Sequence, residues 1–204
     1  MKRTRSLLLA GAACAALLGV DAPAHAESII KNPGDHPDYR LELEPHLNLG
    51  WGHLWAGTGL GVGGRFSIVI VDNGFVKTIN NSVAISFGLD WLRYGDCYGY
   101  YSRYARCAGA SYFIFPVALQ WNFWLSPQWS VFGEPGFYVY HGVWDDYCDY
   151  PEFTGDRFCR GFRPTRTSVD FAFWAGGRFH FNDKVALTMR IGYPTISFGV
   201  SIFF

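Results

Sequence analysis

From Tyr39 to the last residue, apolar side chains recur at every second position. That period belongs to β-strands whose two faces meet different surroundings, whereas an amphipathic helix repeats its apolar stripe every three or four residues. The first run sets Leu41, Leu43, Leu47 and Leu49 against Arg40, Glu42, Glu44, His46 and Asn48. The second, Thr58 to Ile70, carries Leu60, Val62, Phe66, Ile68 and Ile70 on one face, and the third, Ser82 to Arg93, sets Val83, Ile85, Phe87, Leu89 and Trp91 against Ser82, Ser86, Gly88 and Asp90. The fourth, Ser111 to Leu125, places Phe113, Phe115, Val117, Leu119, Trp121 and Phe123 opposite Gln120 and Asn122. A turn at Ser126-Pro127-Gln128 leads to the fifth, Trp129 to Val143, where Pro135 and Gly136 predict a bulge or kink. The sixth runs from Thr167 to Phe181, the seventh from Lys184 to Tyr193, and the eighth from Thr195 to Phe204.

Eight runs of about ten residues each have the length a tilted strand needs to cross a bilayer, and the even number lets them close into an antiparallel barrel. With the amino terminus on the periplasmic side, the connections after strands two, four and six are inner, and two of these are very short. The longest connections, about 94–110 and 144–166, fall on the outer side, which is the arrangement of outer-membrane barrels. The expected fold is therefore all-β: an eight-stranded antiparallel transmembrane up-and-down barrel over residues 39–204, preceded by a polar periplasmic lead-in at 27–38.

The front of the chain changes the compartment. Lys2, Arg3 and Arg5 precede an apolar run from Leu7 to Val20 and a small-x-small site at Ala24-His25-Ala26, together a secretory signal peptide over 1–26. Its removal takes Lys2, Arg3, Arg5 and Asp21 with it and moves the formal net charge from +0 to −2. No field remains to attract nucleic acid. Cys14 leaves with the leader, and Cys97, Cys107, Cys148 and Cys159 remain, an even count that in an exported chain predicts two disulfides. Their gaps are too long for the usual zinc-ligand pairs. Local bridges, Cys97 with Cys107 and Cys148 with Cys159, each close a short loop within one hairpin, while crossed pairing stays open.

A soluble barrel would alternate too, with the apolar face inward. Against it stand the large aromatics near the strand ends, Trp51, Trp91, Trp121, Trp129, Phe181 and Tyr193, which fit two interfacial girdles. The opposite face is small or charged, with Glu42, Glu44, Asp90, Glu134 and Asp170 against Arg40, Arg65, Arg178 and Arg190, a near balance suited to pairing in a narrow lumen. The last strand carries Ile196, Phe198, Val200, Ile202 and the terminal Phe204 at every second position. In that signature the chain resembles outer-membrane β-barrel proteins, above all the small eight-stranded OmpA-like and OmpX-like group. The resemblance implies insertion by the barrel assembly machinery and a surrounding of outer-membrane lipid and lipopolysaccharide, and it matches no subfamily whose functional residues could be transferred.

Candidate chemistry is sparse. Gly59, Gly61 and Gly64 satisfy a GxGxxG spacing, but a strand follows where a nucleotide site needs a helix, so the glycines read as room for long neighbours in the lumen. His53, His141, Asp90 and Asp145 lie near outer strand ends, where lipid-active hydrolases and acyltransferases of this membrane place their catalytic groups; no triad is identifiable. Tyr98, Tyr100, Tyr101 and Tyr104 with Arg103 have the composition of a binding loop, and the arginines suit lipopolysaccharide phosphates. In the second long loop Asp145, Asp146, Asp149, Glu152 and Asp156 precede Arg157, Arg160, Arg163 and Arg166, arms that attract each other in a hairpin. The reading is a structural or surface-binding barrel with disulfide-bearing outer loops, without metal or cofactor. Its alternatives are an enzyme acting on lipid and a small-solute channel.

Overall fold

The computed structural model describes residues 28–50, 58–98, 104–144, 147–151, 158–160 and 165–204, with residues 96–98, 104–108, 147–151 and 158–160 as backbone alone. The leader expected over 1–26 lies outside the described residues, as do Trp51, His53, Tyr100, Tyr101, Arg103 and Asp145.

Ten strands form one antiparallel sheet: β1 (Leu41–Gly50), β2 (Gly59–Val71), β3 (Asn81–Tyr98), β4 (Tyr104–Trp124), β5 (Trp129–Trp144), β6 (Tyr147–Pro151), β7 (Phe158–Arg160), β8 (Thr165–Asn182), β9 (Val185–Tyr193) and β10 (Thr195–Phe203). Eight of them, all but β6 and β7, close into a barrel, because β3 pairs with β4 and β10 pairs with β1. Closure leaves no open edge around the ring, the condition for crossing lipid with strands.

Two expectations need correction. The connection expected at 94–110 is mostly sheet, since β3 continues to Tyr98 and β4 begins at Tyr104. Likewise β6 and β7 fall inside the expected loop 144–166, where β6 adds to the upper edge of β4. These stretches rise where neither face meets lipid, so the apolar alternation that marks the lower strands is lost. Nor does Pro135 make a bulge. The register of β5 against both neighbours is constant through it, and the ladder to β4 only loses the pairs at Leu119 and Gln120. Pro45 and Pro116 each remove two pairs from one neighbour in the same way. A proline deletes one N–H without shifting the strand. The register shifts that do occur lie near the inner ends, at Val69/Val71 and His180/Asn182.

The pairing fixes the barrel's dimensions. From Leu47, partners run through Val62, Trp91, Phe113 and His141 to Thr167 on β8, and in the other direction through Phe198 and Met189 to Gly177 on that same strand. The two arrivals are ten residues apart. With about 3.3 Å per residue and about 4.8 Å between strands, this stagger tilts eight strands by about 40°.

Side chains alternate as the pattern demands. Leu43, Leu47, Val62, Ile85, Phe87, Phe115, Phe137, Phe171, Met189 and Phe198 are exposed on the outside, a continuous apolar belt that a protein in water would not present. Trp91, Trp129 and Phe181 stand near its edges, whereas Tyr193 turns toward the interior and meets the Tyr138 ring at 6.0 Å.

The lead-in is not free. Ile29 donates to the Leu125 carbonyl (3.1 Å), Asn80 to the Ile30 carbonyl (2.7 Å), and the His36 ring stacks on Trp124 at 5.4 Å. Ile29 and Tyr39 are buried with Trp124 and Phe203, so residues 29–39 close the inner end of the barrel.

Candidate functional site

The interior is stacked in three layers, which decides where function can reside. At the floor lie Tyr39, Trp124, His180 and Phe203, with Trp124 tilted against His180 at 4.9 Å and His180 stacked on Phe203 at 5.4 Å. Ser130 Oγ and His180 Nε2 are 2.9 Å apart there, a serine–histidine pair that the sequence reading missed; it is buried without an acidic third member and serves packing.

The middle layer is ionic. Arg190 sits between two carboxylates, donating to both oxygens of Glu44 (2.6 and 2.9 Å) and both of Glu134 (2.8 and 3.2 Å), and Gln120 donates to Glu134 at 2.8 Å. Arg178 donates to Glu42 and to Asn122 Oδ1 (2.8 Å) and lies over the Phe132 ring. Arg65 reaches Asp90 at 3.5 Å and covers the Trp174 ring at 4.5 Å. His46 completes the set, with Nε2 at 2.8 Å from Asp90 and Nδ1 at 3.1 Å from the Glu44 carbonyl. Four acidic side chains, Glu42, Glu44, Asp90 and Glu134, then face three guanidiniums and the His46 ring. The expected balance holds with two exchanges: Arg40 is outside, near Asp72 (3.8 Å), and Asp170 is exposed at the rim, where it accepts from the Phe171 amide (2.8 Å). The glycines of β2 make the room, since a Cβ on Gly63 would meet Asp90, His46 and Asn48.

Above the charges the lumen is aromatic, which the alternation did not reveal. Leu92, Tyr94, Tyr112, Ile114, Tyr138 and Trp174 form one buried cluster, with Tyr140, Trp144 and Tyr193 packed on it. The Tyr94 ring lies against Gly59 of the adjacent β2 and Gly50 of β1, where the missing side chains leave room for it. Among the described residues, floor, ions and aromatic layer stack large buried side chains along the length of the lumen. In a planar bilayer the purified protein should therefore show at most rare, small openings; steady porin-sized conductance would contradict this packing.

What remains open is the outer end. Outward-facing Arg93, Ser111, His141 and Thr167 mark the upper limit of the apolar belt, with Arg93 donating to Ser111 (3.0 Å) and His141 bonded to Thr167 (2.8 Å). From the tilt and stagger, these four lie within about 5 Å of one height. The strands do not end together there. β9 and β10 stop about 15 Å lower than β5 and β8, and about 8 Å below that polar ring, while the inner ends are nearly level. Among the described residues, Thr165–Ala172 of β8 consequently have β5 on one side and no strand on the other. The outer end is, among the described residues, a raised half-wall of β3, β4, β5 and β8, extended by β6 and β7.

Of the residues singled out for binding, Tyr98 closes β3 and Tyr104 opens β4 on this half-wall, and the other three lie outside the described residues. Of the rim residues considered for catalysis, Asp90 is buried in the ionic layer and His141 faces outward, so the wall separates them. The four cysteines occupy one row: Cys97 is opposite Cys107, Cys107 opposite Cys148, and Cys148 opposite Cys159.

The architecture is that of the small eight-stranded outer-membrane barrels. Ail, the attachment invasion locus protein of Yersinia pestis, is similar with a TM-score of 0.52 and 12% identity, over 83% of this chain and 99% of that one. The same protein in complex with the heparin analogue sucrose octasulfate gives 0.49 and 11%, over 81% and 97%. Neisserial surface protein A gives 0.42 and 13%, over 81% and 97%. No family model and no curated protein matches the chain.

Proposed function

We propose that this protein is exported by a cleaved leader over 1–26, resides in a bacterial outer membrane, and binds a partner at the cell surface through its raised outer half-wall. The observation that carries the reading is the asymmetry of the barrel: the inner end is level and covered, the lumen is filled, and only the outer end rises above the belt. Tyr98 ends β3 and Tyr104 begins β4, and Tyr100, Tyr101 and Arg103 fall between them in the sequence; tyrosine offers contact area at low entropic cost and arginine grips phosphate. Lipopolysaccharide is the nearest carrier of such groups.

The test uses refolded protein in phosphatidylcholine vesicles titrated with lipopolysaccharide, before and after removal of its phosphates. Saturable binding that falls at least tenfold when these five residues are changed to alanine supports the reading. Undiminished binding by that variant, or none by the unmutated protein, sinks it for this ligand. Release of fatty acid from lipid A in the same vesicles would instead favour the enzyme reading.

Assembly supplies a second test. Phe204 extends β10, its carbonyl accepting from Arg40 and Leu41 (2.8 and 3.1 Å) and its amide donating to Leu41 (2.9 Å). With Ile196, Phe198, Val200 and Ile202 it forms the proposed assembly signature. Deleting Phe204 should lower the amount of heat-modifiable protein in the membrane fraction more than deleting Gly155 does; equal yields would remove Phe204 from that role.

A further inference from the structure

We infer that the outer sheet carries two disulfides, Cys97–Cys107 and Cys148–Cys159, and that the third adjacent pair, Cys107 with Cys148, stays unbridged. The row of four cysteines across β3, β4, β6 and β7 gives three neighbouring pairs, so adjacency alone does not choose. The phase of the antiparallel ladder does.

In such a ladder each residue points its N–H and C=O toward the same neighbour, and opposed pairs alternate between hydrogen-bonded, with Cα atoms about 5.5 Å apart, and non-hydrogen-bonded, about 4.5 Å apart with side chains closer. A disulfide needs Cβ atoms about 3.5–4.5 Å apart, which the closer pair reaches with less distortion.

Two prolines reveal the phase. Through Pro116 the β4–β5 ladder runs unbroken, while the β3–β4 ladder skips from Phe87–Val117 to Asp90–Ile114. The absent N–H therefore belongs on the β3 side, and even-numbered residues of β4 bond to β3. Pro135 of β5 breaks the β4–β5 ladder between Ala118–Gly136 and Trp121–Gly133, which places Leu119, and with it the odd-numbered residues of β4, toward β5. The two agree, and the β3–β4 register is constant up to Cys97–Cys107.

Cys107 is odd-numbered. It is thus non-hydrogen-bonded toward Cys97 and hydrogen-bonded toward Cys148, and Cys148 is in turn non-hydrogen-bonded toward Cys159. The row runs close, wide, close. In each close pair two thiols lose two protons and two electrons to a disulfide-bearing oxidant of the exported compartment, which leaves as a dithiol while one S–S bond forms. The outer sheet then consists of two covalently closed hairpins. Their seam, Tyr104–Pro151 through Cys107–Cys148, is a backbone ladder without a disulfide across it.

The inference does not depend on any ligand. Full-length protein is extracted from membranes without reductant, its free thiols capped with iodoacetamide, and digested with trypsin and chymotrypsin, which cut between every two cysteines. Peptides joining Cys97 to Cys107 and Cys148 to Cys159 are expected. A peptide joining Cys107 to Cys148, either crossed pairing, or four capped thiols overturns the inference. In the Cys97→Ser protein, Cys107 should become fully capped while Cys148–Cys159 persists; a switch to Cys107–Cys148 with Cys159 capped overturns it equally.

Discussion

Replacing Arg190 with methionine should cost about 3–5 kcal/mol, because it strands two buried carboxylates at once. The guanidinium donates to both oxygens of Glu44 and both of Glu134, and all three side chains are buried. Methionine fills much of the volume but offers no donor, so Glu44 keeps only its contact with His46 and Glu134 only the amide of Gln120. The measurement is urea unfolding of the refolded barrel, followed by heat-modifiable gel mobility. Neutralising both stranded acids in R190M/E44Q/E134Q should restore most of the loss, since an uncharged set needs no counter-charge. Arg190→Lys should fall between, because a single ammonium cannot serve two carboxylates edge-on as the guanidinium fork does. If R190M unfolds at the same urea concentration as the unmutated protein, the ionic layer contributes nothing to stability and the lumen is wet.

Which parts of this were legible in the sequence follows from where each residue lies. Alternation reports a difference between two faces, so it located every strand inside the membrane, from Leu41–Leu49 to Ile196–Phe204, and placed Glu42, Glu44, Arg65, Asp90, Glu134, Arg178 and Arg190 inside. Where the two faces become alike the signal disappears. Leu92, Tyr112, Ile114 and Tyr138 are apolar and inward beside apolar outward neighbours such as Trp91, Phe113 and Phe137, so the aromatic layer looked like an unbroken apolar run. At the other extreme, Gly95–Tyr98 and Tyr104–Ala108 pair above the membrane with no apolar face, and they read as loop. Prolines misled for a related reason. Pro135 warns of a broken strand in a sheet that must satisfy every N–H, yet here it removes its own N–H and leaves the register untouched. The candidate binding site was visible only as composition, because tyrosine and arginine near a hairpin tip say what can be contacted and not how high the wall beneath them stands. That height comes from the strand stagger, a property of all eight pairings together.

Substituting Val200 by arginine should destabilise the inserted barrel by about 1–3 kcal/mol, since a lipid-facing cation in the inner half of the bilayer costs somewhat less than one at the midplane. Val200 is on β10 opposite Leu187, 38% exposed on the outside, with Phe198 and Ile202 on the same face above and below. From the tilt and stagger it lies about 20 Å below the outer polar ring and about 8 Å above the inner end of β10, so an arginine there sits in the inner half of the apolar belt. The neighbouring Ser201 is not the mild control that a merely polar lumen would make it: it is buried, donates to Glu42 Oε1 (2.7 Å) and shares a hydrogen bond with Thr188 (2.6 Å). An arginine at Ser201 would crowd the ionic layer and add a charge beside Arg178, so S201R should be at least as damaging as V200R, through packing and uncompensated charge. The informative control is Gln128→Arg, in the exposed inner turn before β5, where only the backbone carbonyl is used, accepting from His180 (2.8 Å); that change should stay within about 0.5 kcal/mol. Refolding each protein into vesicles and titrating with urea separates the cases, because only V200R should recover when the same barrel is refolded into micelles of a short-chain detergent, whose thin apolar shell lets the arginine reach water. Equal stability of V200R and Q128R in vesicles would mean that the outer face of β10 does not meet lipid, and the membrane placement of the barrel would fall with it.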